Sequence, residues 1–267
     1  MIPGILAGYA SNFSPTPQNT YGSNLLWLFD AAQGTADLGT VNATWQEQVN
    51  GTLFEEDVAS GSITLESNYF NNLPAIQFYA ESSGNTGKLV ESSASYYDNM
   101  WGGAGNKNIA FAMRKEDNNW VDGVTAPIFI HKGENNHSPA LTGWRIGINQ
   151  QGDLEFKAKT SSYKRWRVYV PGYYLTRTEV IGHITFDGVF STSPNITIRL
   201  WSGSAFVTVP HVFSGSSLTM NDSAAILAIG NQSSDTFREN WAGGIGVMWF
   251  TKPALTSINE AYLSNFI

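Results

Sequence analysis

From Leu25 to Phe250 the chain is a succession of short runs in which apolar and polar residues alternate, each closed by Gly, Asn, Asp or Ser. Alternation with period two turns one face of a strand to a core and the other to water, the signature of antiparallel sheets packed face to face. The clearest runs are Leu25–Asp30, Ser62–Glu66, Ala75–Tyr79, Asn108–Arg114, Pro127–Lys132, Trp144–Asn149 and Leu154–Lys159. Arg165–Val170, Ile181–Phe186, Ile196–Trp201, Ala205–Val209, Ile226–Ile229 and Ile245–Phe250 continue the series. Trp144, Ile146 and Ile148 share one face against Arg145, Gly147 and Asn149, and Ile109, Phe111 and Met113 oppose Ala110, Ala112 and Arg114. Gln150–Asp153 reads as a hairpin connection. The expectation is an all-β sandwich with one buried and one wet face per strand.

Composition agrees. Charged residues make up 14%, against about 25% in ordinary soluble domains. Their place is taken by 26 Gly and by 9 Trp, 11 Tyr and 15 Phe, which suit tight turns and a ring-filled core. With no cysteine, disulfides and thiolate metal sites are absent. The net charge of −7 argues against nucleic acid as a partner. The densest basic cluster, Lys157, Lys159, Lys164, Arg165 and Arg167, alternates with Phe156, Ala158, Trp166 and Val168 and reads as the solvent face of two strands. No stretch approaches the roughly 20 apolar residues of a membrane helix, so no membrane insertion is expected.

Residues 1–22 carry no charge and contain Pro3, Pro15 and Pro17. They read as an extended N-terminal arm that is retained, since the opening lacks the basic region of a signal peptide. Ile2, Ile5, Leu6, Tyr9 and Phe13 make it a candidate assembly element that augments a neighbour's sheet or lies in a groove, with a homo-oligomer as the consequence; the alternative is that it covers its own sandwich. Residues 23–267 read as one domain. Near the end, Ser257 and Glu260 have the spacing of a capping box, and Ile258, Ala261, Tyr262 and Asn265 recur at helical intervals, so a short C-terminal helix is expected to dock on the sandwich.

The stretches Pro127–Gly133, Gly143–Asn149, Gly152–Phe156, His183–Gly188, Ile196–Leu200, Ile226–Asn231 and Gly243–Phe250, closed by Leu255–Leu263, stand in the order of a known pattern. It resembles the laminin-G-like branch of the concanavalin A-like lectin/glucanase superfamily. Upstream, Leu26–Ala31, Trp45–Gly51 and Leu73–Phe78 look like the opening strands of lectin-like domains from phage and bacterial surface proteins. The resemblance covers about residues 25–267 and implies a jelly-roll β-sandwich. The opening Met1–Ile5 also looks like the start of tailed-phage virion proteins.

The superfamily includes glycoside hydrolases, whose chemistry needs two carboxylates facing one site. Here the nearest pair is Asp153 and Glu155 at a hairpin edge, with no third acid, so no catalytic residue is expected. His131, His137, His183 and His211 match no zinc spacing, and His183 reads as a packing residue. Gly102–Gly105 lacks the lysine of a phosphate loop and reads as a flexible turn. No cofactor is called for; the resemblance does imply that a structural calcium ion can sit at the rim, with Asp187, Asp222 and Asp235 among the loop acids available.

Aromatic residues assigned to loops are the candidates for stacking on sugar rings: Tyr96, Tyr97, Trp101, Trp120, Tyr163, Tyr173, Tyr174 and Trp241. The other reading is that these rings cap the sandwich or pack at subunit contacts. The resulting expectation is a non-catalytic virion structural protein of a tailed phage, as head decoration, fibre, knob or tail adhesin, in contact with other virion proteins and with glycans. The alternative is a secreted or cell-surface carbohydrate-binding module, and a glycan hydrolase or lyase is disfavoured by the missing carboxylate motif.

Overall fold

The computed structural model describes residues 16–39, 42–56, 63–78, 87–91, 97, 100–102, 105–115, 128–133, 143–149, 151–159, 164–173, 179–220, 226–230, 243–252 and 256–267. It starts with helix α1 (Pro17–Tyr21) and strands β1 (Leu25–Asp30), β2 (Thr35–Ala36), β3 (Thr44–Gln46), β4 (Leu53–Glu56), β5 (Ile63–Phe70) and β6 (Leu73–Phe78). Next are β7 (Leu89–Glu91), β8 (Lys107–Lys115), β9 (Ile128–Lys132), β10 (Gly143–Ile148), β11 (Leu154–Lys159) and β12 (Arg165–Val170). The chain closes with β13 (Glu179–Phe186), β14 (Ile196–Trp201), β15 (Phe206–Thr208), β16 (Val212–Gly215), β17 (Leu227–Ile229), β18 (Gly243–Thr251) and α2 (Thr256–Leu263).

The strands form two antiparallel sheets, an all-β jelly-roll sandwich as expected. Sheet A runs β15-β14-β13-β8-β18-β6-β5, with β1 also paired to β18; sheet B runs β16-β12-β11-β10-β9-β17-β7-β4-β3-β2. Between them lies a ring-rich core. Trp101 sits 4.9 Å from both Phe156 and Phe250, 5.6 Å from Phe186 and 5.7 Å from Trp144, centroid to centroid. Tilted and edge-on rings at these spacings add to the burial of their area.

The central strands of sheet A are not wet on their outer side. Ile109, Phe111 and Met113 of β8 enter the inter-sheet core as expected, but Ala110 and Ala112 join a second cluster with Leu28, Val247, Trp249, Leu263 and Phe266. The small alanines let α2 approach, so this sheet is sandwiched between core and helix. Bulges keep the two clusters in register. β1 shifts between Leu25 and Trp27, and β18 between Ile245 and Val247, so that Leu25 and Leu28 reach the helix side while Trp27 and Phe29 reach the core.

Two expectations are corrected here. The segment assigned to an extended arm is helical over Pro17–Tyr21: Thr16 caps it by accepting from the Asn19 N–H at 3.3 Å, Pro17 occupies the first turn, and Tyr21 is buried against the sandwich. Ile2, Ile5, Leu6, Tyr9 and Phe13 lie outside the described residues. The proposed capping box does not form either, because Thr256 and Ser257 are already helical and the Glu260 carboxylate goes to Arg199 instead.

Candidate functional site

The hairpin β10–β11 and strand β12 pair in strict register. Their core face carries Trp144, Ile146, Phe156, Ala158, Trp166 and Val168. The alternate residues therefore make a grid of three rows on the outer face of sheet B: Gly143, Lys159 and Arg165; Arg145, Lys157 and Arg167; Gly147, Glu155 and Tyr169. The turn that sets this register is fixed by Gly152, in the left-handed region at φ 78°, and by Asn149, whose side chain accepts from the N–H groups of Gln151 and Asp153. The basic cluster thus occupies the solvent face anticipated for it.

Five cations crowd this grid. Arg145 stands opposite Lys157, Lys157 opposite Arg167, and Lys159 opposite Arg165. Like charges directly across a strand pair oppose folding, by about 0.2–1 kcal/mol each. Glu155 relieves part of this by pairing with Arg145 at 3.3 Å and Arg167 at 2.5 Å, and Asp153 pairs with Arg167 at 3.2 Å. The Arg167 guanidinium lies over the Tyr169 ring, 4.0 Å from its centroid. On β9, His131 extends the middle row opposite Arg145. Burial, and then the charges of Arg145 and Lys88, push its pKa down to about 3, so it is neutral in this face.

Of the eight aromatic candidates, three lie among the described residues. Tyr97 and Trp101 are 2% and 0% exposed and belong to the inter-sheet core, so the sugar-stacking role assigned to them is corrected to packing. Tyr173, just past the end of β12, is partly buried and packs against the inter-sheet core rather than on the grid, so its sugar-stacking role is corrected to packing as well. Tyr96, Trp120, Tyr163, Tyr174 and Trp241 lie outside the described residues. Tyr169 was missed because it belongs to a strand; its parity with Arg165 and Arg167 was the available signal.

The Asp153–Glu155 pair is fully occupied. Asp153 Oδ1 accepts from Gly172, its Oδ2 from Asn149 at 2.6 Å and Arg167, and the two Glu155 oxygens face Arg145 and Arg167. His183 is buried, with Nδ1 2.9 Å from Asn108 Nδ2 and Nε2 3.4 Å from Glu260. As for calcium, the Asp187 carboxylate accepts from the Val189 N–H at 2.8 Å, Asp222 and Asp235 lie outside the described residues, and no group of three metal-ligating side chains occurs among the described ones.

No protein-family model matches the chain, and no curated protein matches it. Among solved structures it is similar to domain 4 of AbnA, a GH43 extracellular arabinanase from Geobacillus stearothermophilus, in complex with arabinotriose. That match has 12% identity and a TM-score of 0.45, over 78% of this chain and 83% of that one. The CBM40 of Ruminococcus gnavus IT-sialidase is similar at 9% identity and a TM-score of 0.40, over 60% of this chain and 82% of that one. The endo-1,3-beta-glucanase from Streptomyces sioyaensis is similar at 12% identity and a TM-score of 0.42, over 84% and 88%. At such values the likeness is one of layered strands, and each ligand belongs to the protein it is named for.

Proposed function

We propose that this chain is a non-catalytic glycan-binding sandwich that takes acidic glycans across the outer face of β10, β11 and β12. The observation that carries the reading is the grid of like charges: residues 143–170 hold six Lys and Arg against two acids, a surplus of four in a chain of net charge −7. Opposed cations that cost stability in the free protein gain from a bound polyanion. Tyr169 beside them supplies a flat ring for a sugar face. The complete engagement of Asp153 and Glu155 by donors favours binding over hydrolysis, because neither carboxylate is left to move a proton.

The test is calorimetric titration of the full chain with oligogalacturonates and with neutral oligosaccharides of equal length. The expected result is binding of the acidic series that weakens steeply between low and physiological salt. It also weakens at least tenfold in Lys159→Gln/Arg165→Gln. Equal affinity for the neutral series, indifferent to salt and to these substitutions, would overturn the reading. A place on a tailed-phage particle, or alternatively at a cell surface, joins it as a proposal about location, decided by which native fraction contains the protein.

A further inference from the structure

The outer side of sheet A carries a cleft of about 340 Å3 where the end of β1, the turn between β5 and β6, and the C-terminal helical segment meet. Its apolar wall is made by Leu73, Pro74 and the rings of Tyr262 and Phe266. Its polar side is made by Asp30, Asn71, Asn265 and the Tyr262 hydroxyl.

Donors and acceptors do not balance there. Asp30 is 9% exposed. Its Oδ1 accepts from the Ala32 N–H at 2.9 Å, the ordinary turn that ends β1. Among the described residues, its Oδ2 meets Gln33 Nε2 and the Tyr262 hydroxyl, each at 3.4 Å, near the outer limit of a hydrogen bond. A buried carboxylate held so loosely lacks donors, and burial raises its pKa accordingly. The two amides are oriented the same way. Asn71 Nδ2 donates to the Asn265 carbonyl at 3.3 Å, and Asn265 Nδ2 to the Tyr262 carbonyl at 2.9 Å, so each uses one of its two N–H donors on the protein and keeps its oxygen for a ligand.

The cleft therefore offers three acceptor groups, one hydroxyl and the remaining N–H of each amide beside a flat apolar wall. A ligand that matches must carry several donors around an apolar face. A pyranose does: vicinal hydroxyls suit a carboxylate and amide oxygens, and the C–H face suits Tyr262 and Phe266. The volume accommodates one or two such rings. An ammonium would also meet Asp30, the amide oxygens and the ring faces, which makes a diamine the competing probe.

We propose that this cleft is a second binding site, for a neutral pyranose with vicinal hydroxyls, held by Asp30, Asn71 and Tyr262. It uses other residues, on the other sheet, than the acidic-glycan face and does not depend on that reading.

The test is an NMR titration of the full chain with the methyl pyranosides of glucose, galactose and mannose, and with 1,4-diaminobutane as the cationic probe. At least one pyranoside is expected to shift the side-chain amides of Asn71 and Asn265 and the indole of Trp249, whose ring lies 5.3 Å from Tyr262. Asp30→Asn and Asn71→Gly each weaken that binding at least tenfold, while Lys159→Gln/Arg165→Gln leaves it unchanged. Asn71 sits at φ 43°, which glycine adopts without strain, so that variant keeps the turn. Tyr262→Phe keeps the ring and loses the hydroxyl, and serves if Asp30→Asn does not fold. No pyranoside shift at these groups, a response to the diamine alone, or binding that survives both Asn71→Gly and Tyr262→Phe would overturn the proposal.

Discussion

Glu260 on α2 grips Arg199 on β14, with Oε1 2.5 Å from the guanidinium Nε, and the same oxygen lies 3.4 Å from Nε2 of the buried His183. One residue earlier, Asn259 is fully buried, accepts from Trp249 Nε1 at 3.2 Å and from the Tyr21 hydroxyl, and donates to Asn108 Oδ1 at 2.7 Å. The helix is thus seated on sheet A by adjacent polar side chains as well as by Leu263 and Phe266. Burial also pushes the Tyr21 pKa up to about 12, so its hydroxyl stays a donor throughout the physiological range.

Asn259→Ala leaves two buried donors and one acceptor unmet. A loss of roughly 2–4 kcal/mol in urea unfolding is expected, against about 1–2 kcal/mol for Glu260→Gln, which keeps a hydrogen-bonding oxygen in a half-wet site. Equal effects would show that the helix is held by its apolar residues alone.

Trp101→Ala should cost roughly 3–5 kcal/mol of stability, since its ring touches four others in the core. Glycan affinity, measured where the variant is still folded, should not change. An affinity loss without a stability loss would restore Trp101 as a binding residue.

Lys132 and Glu91 face each other at 3.7 Å with both side chains fully buried inside the sandwich. Glu91→Gln preserves the acceptor for the Leu227 N–H but takes away the carboxylate opposite the ammonium. It should cost roughly 3–5 kcal/mol, and adding Lys132→Met should recover much of that. A double variant as unstable as the single one would refute the coupling.

His131 gives the acid sensitivity a sign. Unfolded, it takes up a proton near its ordinary 6.5; folded, buried beside Arg145 and Lys88, only near about 3. Its contribution is complete above pH 6.5 and is lost as the pH falls toward 3, with a slope of about 1.4 kcal/mol per unit. The buried His183, also lowered chiefly by burial, acts in the same direction. Asp30 and Glu47, raised by burial, act oppositely, losing stability as the pH rises. His131→Gln should therefore flatten the melting temperature between pH 6.5 and 4, and an unchanged slope would show that His131 does not carry it.

Period-two alternation by itself determined the sandwich. Leu154–Lys159, Arg165–Val170 and Ile196–Trp201 are strands with the boundaries their patterns announce, because a half-buried strand must alternate to hide one face. The basic cluster was placed on the outer face by the same logic. β2, β3, β4, β7 and β16 were not legible as alternating runs, being two to four residues long, too short for a periodicity. Tertiary structure alone decided the rest. Ala110 and Ala112 gave no hint of a helix above them, bulges at Leu25/Trp27 and Ile245/Val247 reversed the parity on which face assignments rest, and Trp101 sits in what read as a loop but is closed in by β10, β11, β13 and β18. The cleft at Asp30 gathers residues from 30, 71 and 265, which no local pattern connects. Faces of a strand follow from its own sequence, whereas what lies against each face depends on how distant segments pack.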